Sequence, residues 1–219
     1  RRCAASSTMS LVALSAELTL AMVAGETSGD LLAARLLAGL RPRLPQAHLH
    51  GIGGKAMAEH GFVSDYPMDK LAVRGLFEVL VHYRELKGIR DDLCARLIRE
   101  QPAAFIGVDA PDFNLDLEIK LKQSGIPTLH FVSPSIWAWR RGRIKKIARA
   151  VSHMLVIFPF EASIYEAAGI PATYVGHPLA EVIPLVPDQA AARRALGIDT
   201  AARVLAILPG SRMSEIRCN

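Results

Sequence analysis

Two acidic loops follow apolar segments of this 219-residue chain, and each could act on a bound hydroxyl group. The first, residues 25–30, reads G-E-T-S-G-D and comes directly after the apolar residues 18–24. Its glycines allow a tight turn and close approach of a ligand, and the helix that follows offers free backbone N–H groups. Glu26 and Asp30 would repel a phosphate and suit sugar hydroxyls. The alternative is a plain strand-to-helix turn that Asp30 or Ser28 caps.

The second loop, V-D-A-P-D-F-N at residues 108–114, follows the apolar segment 104–108. Pro111 stiffens the turn, and Asp112 or Asn114 can cap the next helix. A carboxylate at the carboxyl end of a buried strand is placed to act as a general base toward a bound hydroxyl. Because Asp109 lies nearer the strand, we assign the general base to Asp109 and expect one of the two acids to be only a cap.

Four other segments carry residues with more than one interpretation. The sequence G-I-G-G-K at residues 51–55 predicts either a loop that a ligand can approach closely or a flexible turn. The pattern of residues 76–86 predicts an amphipathic helix that lies either at a membrane interface or against the core. Residues 130–141, H-F-V-S-P-S-I-W-A-W-R-R, could stack bases, grip sugars, rest at lipid headgroups or simply pack as a loop. The basic residues at the end of this segment continue as far as Arg149, and they predict either a solvated face or a contact with anionic lipid. Finally, Ser211 and Arg212 in L-P-G-S-R are residue types that can bind a diphosphate group.

Apolar segments alternate with helical patterns along the chain, and this alternation predicts the fold class. The apolar segments are short and continuous, as in strands buried on both faces. We therefore predict an α/β fold with a doubly wound, Rossmann-like parallel sheet that binds ligands at the carboxyl ends of its strands. The predicted strands are 18–24, 48–52, 104–108, 128–132, 154–157, 172–175 and 204–208, and the predicted helices are 30–40, 76–100, 115–124, 143–150, 161–168 and 189–196.

Composition and charge narrow the class of protein. With 51% hydrophobic and 21% charged residues the chain is globular, and its net charge of +5 favours an acidic partner. Three widely spaced cysteines argue against a disulfide framework or a zinc site. No uncharged apolar segment reaches the roughly 20 residues of a membrane helix. We divide the chain into a disordered or extraneous extension (1–17), an N-terminal domain (18–177), and a linker with the truncated start of a second domain (178–219).

The order and spelling of these motifs resemble the lipid-A-disaccharide synthase family. The resemblance covers about residues 18–215 and rests on V-A-G-E-T-S-G-D, L-A-V-R-G-L-F-E-V-L, G-V-D-A-P-D-F-N, H-F-V-S-P-S-I-W-A-W-R, V-G-H-P-L and L-P-G-S-R. It implies a GT-B glycosyltransferase, in which two Rossmann-like domains face a cleft. This chain would be the N-terminal, acceptor-side half of such an enzyme.

The resemblance also implies a reaction and its residues. A diacylglucosamine unit would pass, with inversion, from its UDP donor to diacylglucosamine phosphate (lipid X) in the lipid A biosynthesis of a Gram-negative bacterium. Asp109 matches the family's base, Glu26 and Ser28 its acceptor-side loop, and Arg212 the arginine at the nucleotide phosphates; we place Asp112 and Ser211 among the substrate-binding residues.

Further expectations concern partners and location. We expect no cofactor, metal or nucleic acid, and a peripheral position on the inner face of the cytoplasmic membrane, against an anionic lipid surface. Two rival interpretations are another GT-B or UDP-sugar enzyme, and a lipid- or nucleotide-binding fragment without turnover. We interpret the chain as truncated and expect no glycosyl transfer from it alone.

Overall fold

A single parallel sheet organises the first part of the protein. The computed structural model describes residues 18–71, 76–137 and 141–208, and for residues 76–82 and 141 it describes the backbone. Seven strands pair in the order β3-β2-β1-β4-β5-β6-β7, and every pairing is parallel. The strands are β1 (Thr19–Ala24), β2 (His48–Ile52), β3 (Val63–Ser64), β4 (Ala104–Val108), β5 (Thr128–Phe131), β6 (His153–Val156) and β7 (Ala172–Tyr174).

Helices connect successive strands, as parallel pairing requires. Six of them lie between strands, and α7 follows the last strand. Their bounds are α1 (Thr27–Leu40), α2 (Lys55–Ala58), α3 (Leu76–Glu100), α4 (Pro111–Gln123), α5 (Ile144–Ala150), α6 (Pro159–Glu166) and α7 (Gln189–Ala195). This arrangement is the predicted α/β, Rossmann-like fold, and it is consistent with one half of a GT-B enzyme.

Strand β1, inside the sheet between β2 and β4, is buried on both faces, which explains its unbroken hydrophobicity. Leu20, Met22 and Ala24 pack with Ala33 and Leu37 of α1. The alternate residues, Ala21 and Val23, pack on the opposite face with residues of α3 and α4. A third apolar cluster joins α4, α5, β6 and α6 and includes the buried Tyr165. The sheet therefore carries apolar layers on both sides.

The predicted elements agree closely with the observed ones, with instructive exceptions. Residues 48–52, 104–108 and 76–100 match to the residue. Strand β5 ends one residue early, because Val132 adopts a left-handed backbone (φ 76°) that breaks the extended chain. The predicted strand 204–208 is wrong. Those residues are exposed and irregular, and the described residues from His177 onward contain no strand to pair with them.

The chain divides into two compact units, one ending at Gly176 and the other beginning at His177. The first unit contains the sheet and the three apolar clusters. The described part of the second contains a short 3-10 helix, Pro178–Glu181, and helix α7. The assignment of this second unit to the start of another domain stays a prediction.

Ion pairs bind α3, α4 and α5 together on the outside of the sheet. Asp116 of α4 accepts a hydrogen bond from Arg90 of α3 at 2.9 Å and contacts Lys146 of α5 at 2.5 Å. Partial burial would raise the pKa of Asp116, but the Lys146 ammonium and the Arg90 guanidinium outweigh it and hold that pKa below its usual value. The carboxylate is therefore stabilised in the folded state.

We predict that Asp116→Asn lowers the free energy of unfolding by about 1 kcal/mol at pH 7, as expected for a partly exposed ion pair. Because the folded-state pKa is depressed, this stabilisation is complete above the unfolded value of about 3.9 and is lost as pH falls below it. Urea denaturation of both proteins between pH 3 and 7 measures the difference. A difference that is constant over this range would exclude ionised Asp116 as its source.

Candidate active site

The direction in which the chain adds strands to the sheet reverses between β1 and β4. The chain leaves β1 for β2 on one side, whereas β4 lies on the other, so the connections after these two strands diverge. Ala24 and Val108, the last residues of β1 and β4, are paired directly. In open parallel sheets such a divergence opens a ligand crevice at the carboxyl ends of the strands. Both acidic loops predicted from the sequence begin here.

The loop after β1 lies against the loop after β4. A Cβ atom added at Gly25 would lie 2.9 Å from the Ala110 Cβ, so only glycine permits this approach. Glu26, which is half-buried, is the extended residue that precedes α1, and Ser28 lies exposed in the first turn of that helix. The fold thus brings Glu26 and Ser28 to the same edge as Asp109.

The loop after β4 holds its backbone in an unusual conformation. Asp109 and Ala110 both have left-handed backbones, with φ of 50° and 44°. Each such residue costs on the order of 1–3 kcal/mol, and the conformation persists only where the surroundings impose it. The Asp109 N–H donates to the Phe131 carbonyl at 2.9 Å, and the Asn114 side-chain amide donates to the Asp109 carbonyl at 2.8 Å. These bonds fix the backbone that carries the Asp109 carboxylate.

Asp30 does not face a ligand, contrary to one of the interpretations made from the sequence. It is buried, and its carboxylate oxygens accept hydrogen bonds from the N–H groups of Gly54, Ala56 and Met57 at 2.8–3.2 Å. It therefore caps the short helix α2 rather than its own helix α1. Its function is to tie the glycine-rich loop after β2 to α1.

The remaining predicted residues have varied surroundings. Asp112 does not cap α4. Its carboxylate is 78% exposed and pairs with Arg143. His177 of the V-G-H-P-L motif, which lies in the other unit, accepts a hydrogen bond from the Leu179 N–H at 3.2 Å and so satisfies a turn. Ser211 and Arg212 lie outside the described residues, and their predicted roles stay predictions.

Aromatic rings are exposed near the carboxyl ends of β5 and β6. Trp137 meets Phe160 edge to face at 5.4 Å, and Phe160 stacks on Phe158 at 5.8 Å. All three rings are more than 40% exposed. Below them, the buried Ser133 hydroxyl lies 2.7 Å from the Tyr165 hydroxyl, and burial raises the pKa of Tyr165 to about 12. Tyr165 therefore remains protonated and supports this loop from beneath.

The basic run that follows the aromatic segment is partly neutralised. Arg143 pairs with Asp112, and Lys146 pairs with Asp116 on α4. Lys145 and Arg149 of α5 are exposed. Part of this run therefore holds α5 against α4, and part can meet an external anion.

The sequence analysis did not identify a cluster of three buried polar side chains near the Asp109 loop. Asn114, Glu118 and His130 are each fully buried, whereas the sequence indicates Asn114 only as a possible helix cap. The helix has no side-chain cap, since Ala110 occupies that position. The signal in the sequence was weak: Asn114 and Glu118 stand four residues apart among leucines, and His130 interrupts the apolar T-L-H-F.

Two classes of feature are absent from the part of the chain that the structure describes. Residues 18–71, 76–137 and 141–208 contain no group of three His, Cys, Asp or Glu side chains that could hold a metal ion. In the same ranges no helix is both long and apolar enough to cross a membrane.

Comparison with known proteins decides the family. Residues 20–219 match the family model described as lipid-A-disaccharide synthetase. The chain belongs to this family. Curated proteins named lipid-A-disaccharide synthase from Aromatoleum aromaticum, Paraburkholderia xenovorans and Bordetella pertussis are each 60% identical to it, over 198, 200 and 200 residues. These alignments cover 90–91% of the chain and 51% of each relative. This member of the lipid-A-disaccharide synthetase family thus spans about half the length of the curated relatives it matches.

We predict that Asp30→Ala lowers the free energy of unfolding by about 2–3 kcal/mol, because three backbone N–H groups lose a buried acceptor. Urea denaturation of the 219-residue chain, followed by circular dichroism, measures the change. The control is Asp69→Ala, which removes an exposed acid from the same unit and should change stability by less than about 0.5 kcal/mol. Equal effects of the two substitutions would contradict the capping role.

Proposed function

We propose that this protein forms the acceptor-side half of a glycosyltransferase of lipid A biosynthesis. The reaction transfers diacylglucosamine from its UDP donor to diacylglucosamine phosphate (lipid X), with inversion, and releases UDP. The observation that carries the proposal is the position of Asp109, which follows β4 at the carboxyl edge of the sheet in a backbone conformation fixed by hydrogen bonds to β5 and α4. Membership of the family and the 60% identity to named lipid-A-disaccharide synthases support the same reaction.

Inversion in one step requires a single base beside the acceptor hydroxyl. Asp109 accepts the hydroxyl proton while the acceptor oxygen attacks the anomeric carbon from the face opposite UDP. The new C–O bond forms as the bond to the diphosphate breaks, and the electron pair leaves with UDP. A positioned base contributes typically about 10²–10⁴-fold to such a rate. Asp109 is half-buried at the crevice, where a bound sugar would exclude water from it.

The other predicted residues bind and orient the substrates in this proposal. Glu26 and Ser28 accept hydrogen bonds from sugar hydroxyls on the β1 side of the crevice, and Asp112 does so at its outer edge. Ser211 and Arg212 act on the diphosphate, where a guanidinium stabilises the charge that develops on the leaving group.

We further propose that the protein acts at the inner face of the cytoplasmic membrane, because both proposed substrates carry acyl chains. The exposed rings of Trp137, Phe158 and Phe160 support this location, since aromatic side chains favour the headgroup layer. The exposed Lys145 and Arg149 would add attraction to anionic lipids.

We expect Asp109→Asn to lower kcat by about 10²–10⁴-fold without loss of the fold, because the amide has nearly the same shape but cannot take up the proton. Release of UDP from the acylated donor in the presence of lipid X measures this effect. The assay uses the chain extended to the length of its relatives with the remaining segment of the Aromatoleum aromaticum protein.

The matched control is Asp91→Asn, which changes a partly exposed acid of α3 that pairs with Lys120. It should leave kcat within about two-fold, as expected of a surface substitution. Turnover by Asp109→Asn within a few-fold of the unsubstituted protein would remove Asp109 from the mechanism.

Binding of the chain to phospholipid vesicles tests the proposed location. It should be stronger for vesicles with anionic lipids than for neutral ones and should weaken with salt, since each surface Lys or Arg contributes about 1 kcal/mol. The double variant Lys145→Gln/Arg149→Gln should lose part of this preference, whereas Trp137→Ala should weaken binding to both kinds of vesicle. Equal binding to neutral and anionic vesicles would refute the electrostatic contribution.

A further inference from the structure

Three polar side chains form a buried network directly beneath the Asp109 loop. Asn114 and Glu118 lie one turn apart on α4, and His130 lies on β5. All three are fully buried. His130 Nδ1 lies 2.7 Å from Glu118 Oε1, and this contact joins helix α4 to the sheet.

The Asn114 amide connects this network to both strands that flank the crevice. Its Nδ2 donates to the Val23 carbonyl of β1 at 3.3 Å and to the Asp109 carbonyl, immediately after β4, at 2.8 Å. One NH₂ group thus bridges the carboxyl ends of β1 and β4, the two strands whose following connections diverge. The same contact restrains Asp109 where its backbone is left-handed.

Gly107 makes room for the network. A Cβ atom at this position of β4 would lie 2.2 Å from Glu118 Oε1 and 3.1 Å from the Asn114 Cβ and Cγ atoms. Gly107 is also paired with His130 across the sheet. Asn114 and Glu118 therefore both occupy the space next to one glycine, and His130 contacts Glu118 there.

Each of the three side chains also buries a second polar atom. The Asn114 Oδ1, Glu118 Oε2 and His130 Nε2 atoms are buried without a hydrogen-bond partner among the described residues. Apolar residues of similar volume would avoid this desolvation cost and often give equal or greater stability. Stability alone therefore does not account for three polar side chains at this position, whereas restraint of the strained Asp109 backbone does.

We infer that Asn114, supported by the Glu118–His130 pair, is a positioning residue that sets the direction of the Asp109 carboxylate. The inference rests on the proposed function of Asp109 as base. Displacement of a reacting group by about 1 Å can lower a rate about 10²-fold, so a loose Asp109 loop would reduce turnover without weakening substrate binding.

A double-mutant cycle between Asn114 and Asp109 tests the inference in the extended protein. Asn114→Ala should lower kcat 10- to 100-fold and leave KM within two-fold. In the Asp109→Asn background, measured with radiolabelled donor, the same change should lower the residual kcat less than two-fold, because the carboxylate that Asn114 positions is gone. Circular dichroism gives the folded fraction of each variant, and all rates are expressed per folded protein.

Substitutions of Glu118 provide a second test should Asn114→Ala fail to fold. Glu118→Gln keeps the length of the side chain and an acceptor for His130, and kcat should stay within three-fold. Glu118→Leu removes the contact with His130, and kcat should fall at least 10-fold at unchanged KM. Equal loss from the two variants would contradict a positioning role that depends on geometry.

The outcomes separate this inference from the proposed function. An active Asp109→Asn protein would overturn the proposed function itself. The positioning role alone would be overturned by either of two results, each combined with an inactive Asp109→Asn protein. In the first, Asn114→Ala has normal kcat. In the second, Asn114→Ala lowers kcat by the same factor in both backgrounds. A loss in the Asn114→Ala protein that follows its folded fraction would show a purely structural role.

Discussion

The hydrogen bonds of the Asn114 amide to the Val23 and Asp109 carbonyls hold together the ends of the two central strands. The Asp109 carbonyl lies just beyond the last residue of β4, and the diverging connections tend to separate the loops that follow. An amide with two donors can bridge them, whereas a leucine could not. The adjacent loops are then close enough that Gly25 can have no Cβ atom, because Ala110 occupies that space. The crevice and the placement of its acids depend on this bridge.

Other unusual features of the sheet follow from the same constraint. Gly107 lacks a side chain because α4 must lie close enough for Asn114 to reach both strands. The left-handed backbones of Asp109 and Ala110 turn the chain abruptly from β4 into α4, whose first residue is Pro111. Such strain, concentrated in a loop at the crevice, is typical of functional sites. On the other side of β1, Asp30 fixes the loop after β2 through three backbone hydrogen bonds. Rigid elements thus restrain the crevice from both sides.

The fold could be predicted from the sequence because burial on both faces leaves continuous apolar strands, and residues 48–52 and 104–108 match to the residue. Parallel pairing alone predicts that Glu26 and Asp109 lie at the same edge of the sheet, because it brings the carboxyl ends of the strands together. Which polar side chains of a helix point inward could not be predicted, because that depends on the helix position over the sheet. Asn114 and Asp30 were therefore expected as caps of their own helices, and the Glu118–His130 pair was missed. The predicted strand at 204–208 failed because hydrophobicity indicates burial or pairing, yet the described residues of that unit contain no strand to pair with it.

The position of the acceptor relative to Asp109 is the central claim, and a crystal structure of the extended protein with bound lipid X measures it most directly. The account predicts that a carboxylate oxygen of Asp109 lies about 2.6–3.2 Å from the attacking hydroxyl, as general-base catalysis requires. Asn114 should still bridge the two strand ends in that complex. A structure in which the acceptor hydroxyl contacts another residue, with the Asp109 carboxylate directed away from the bound sugar, would contradict the account.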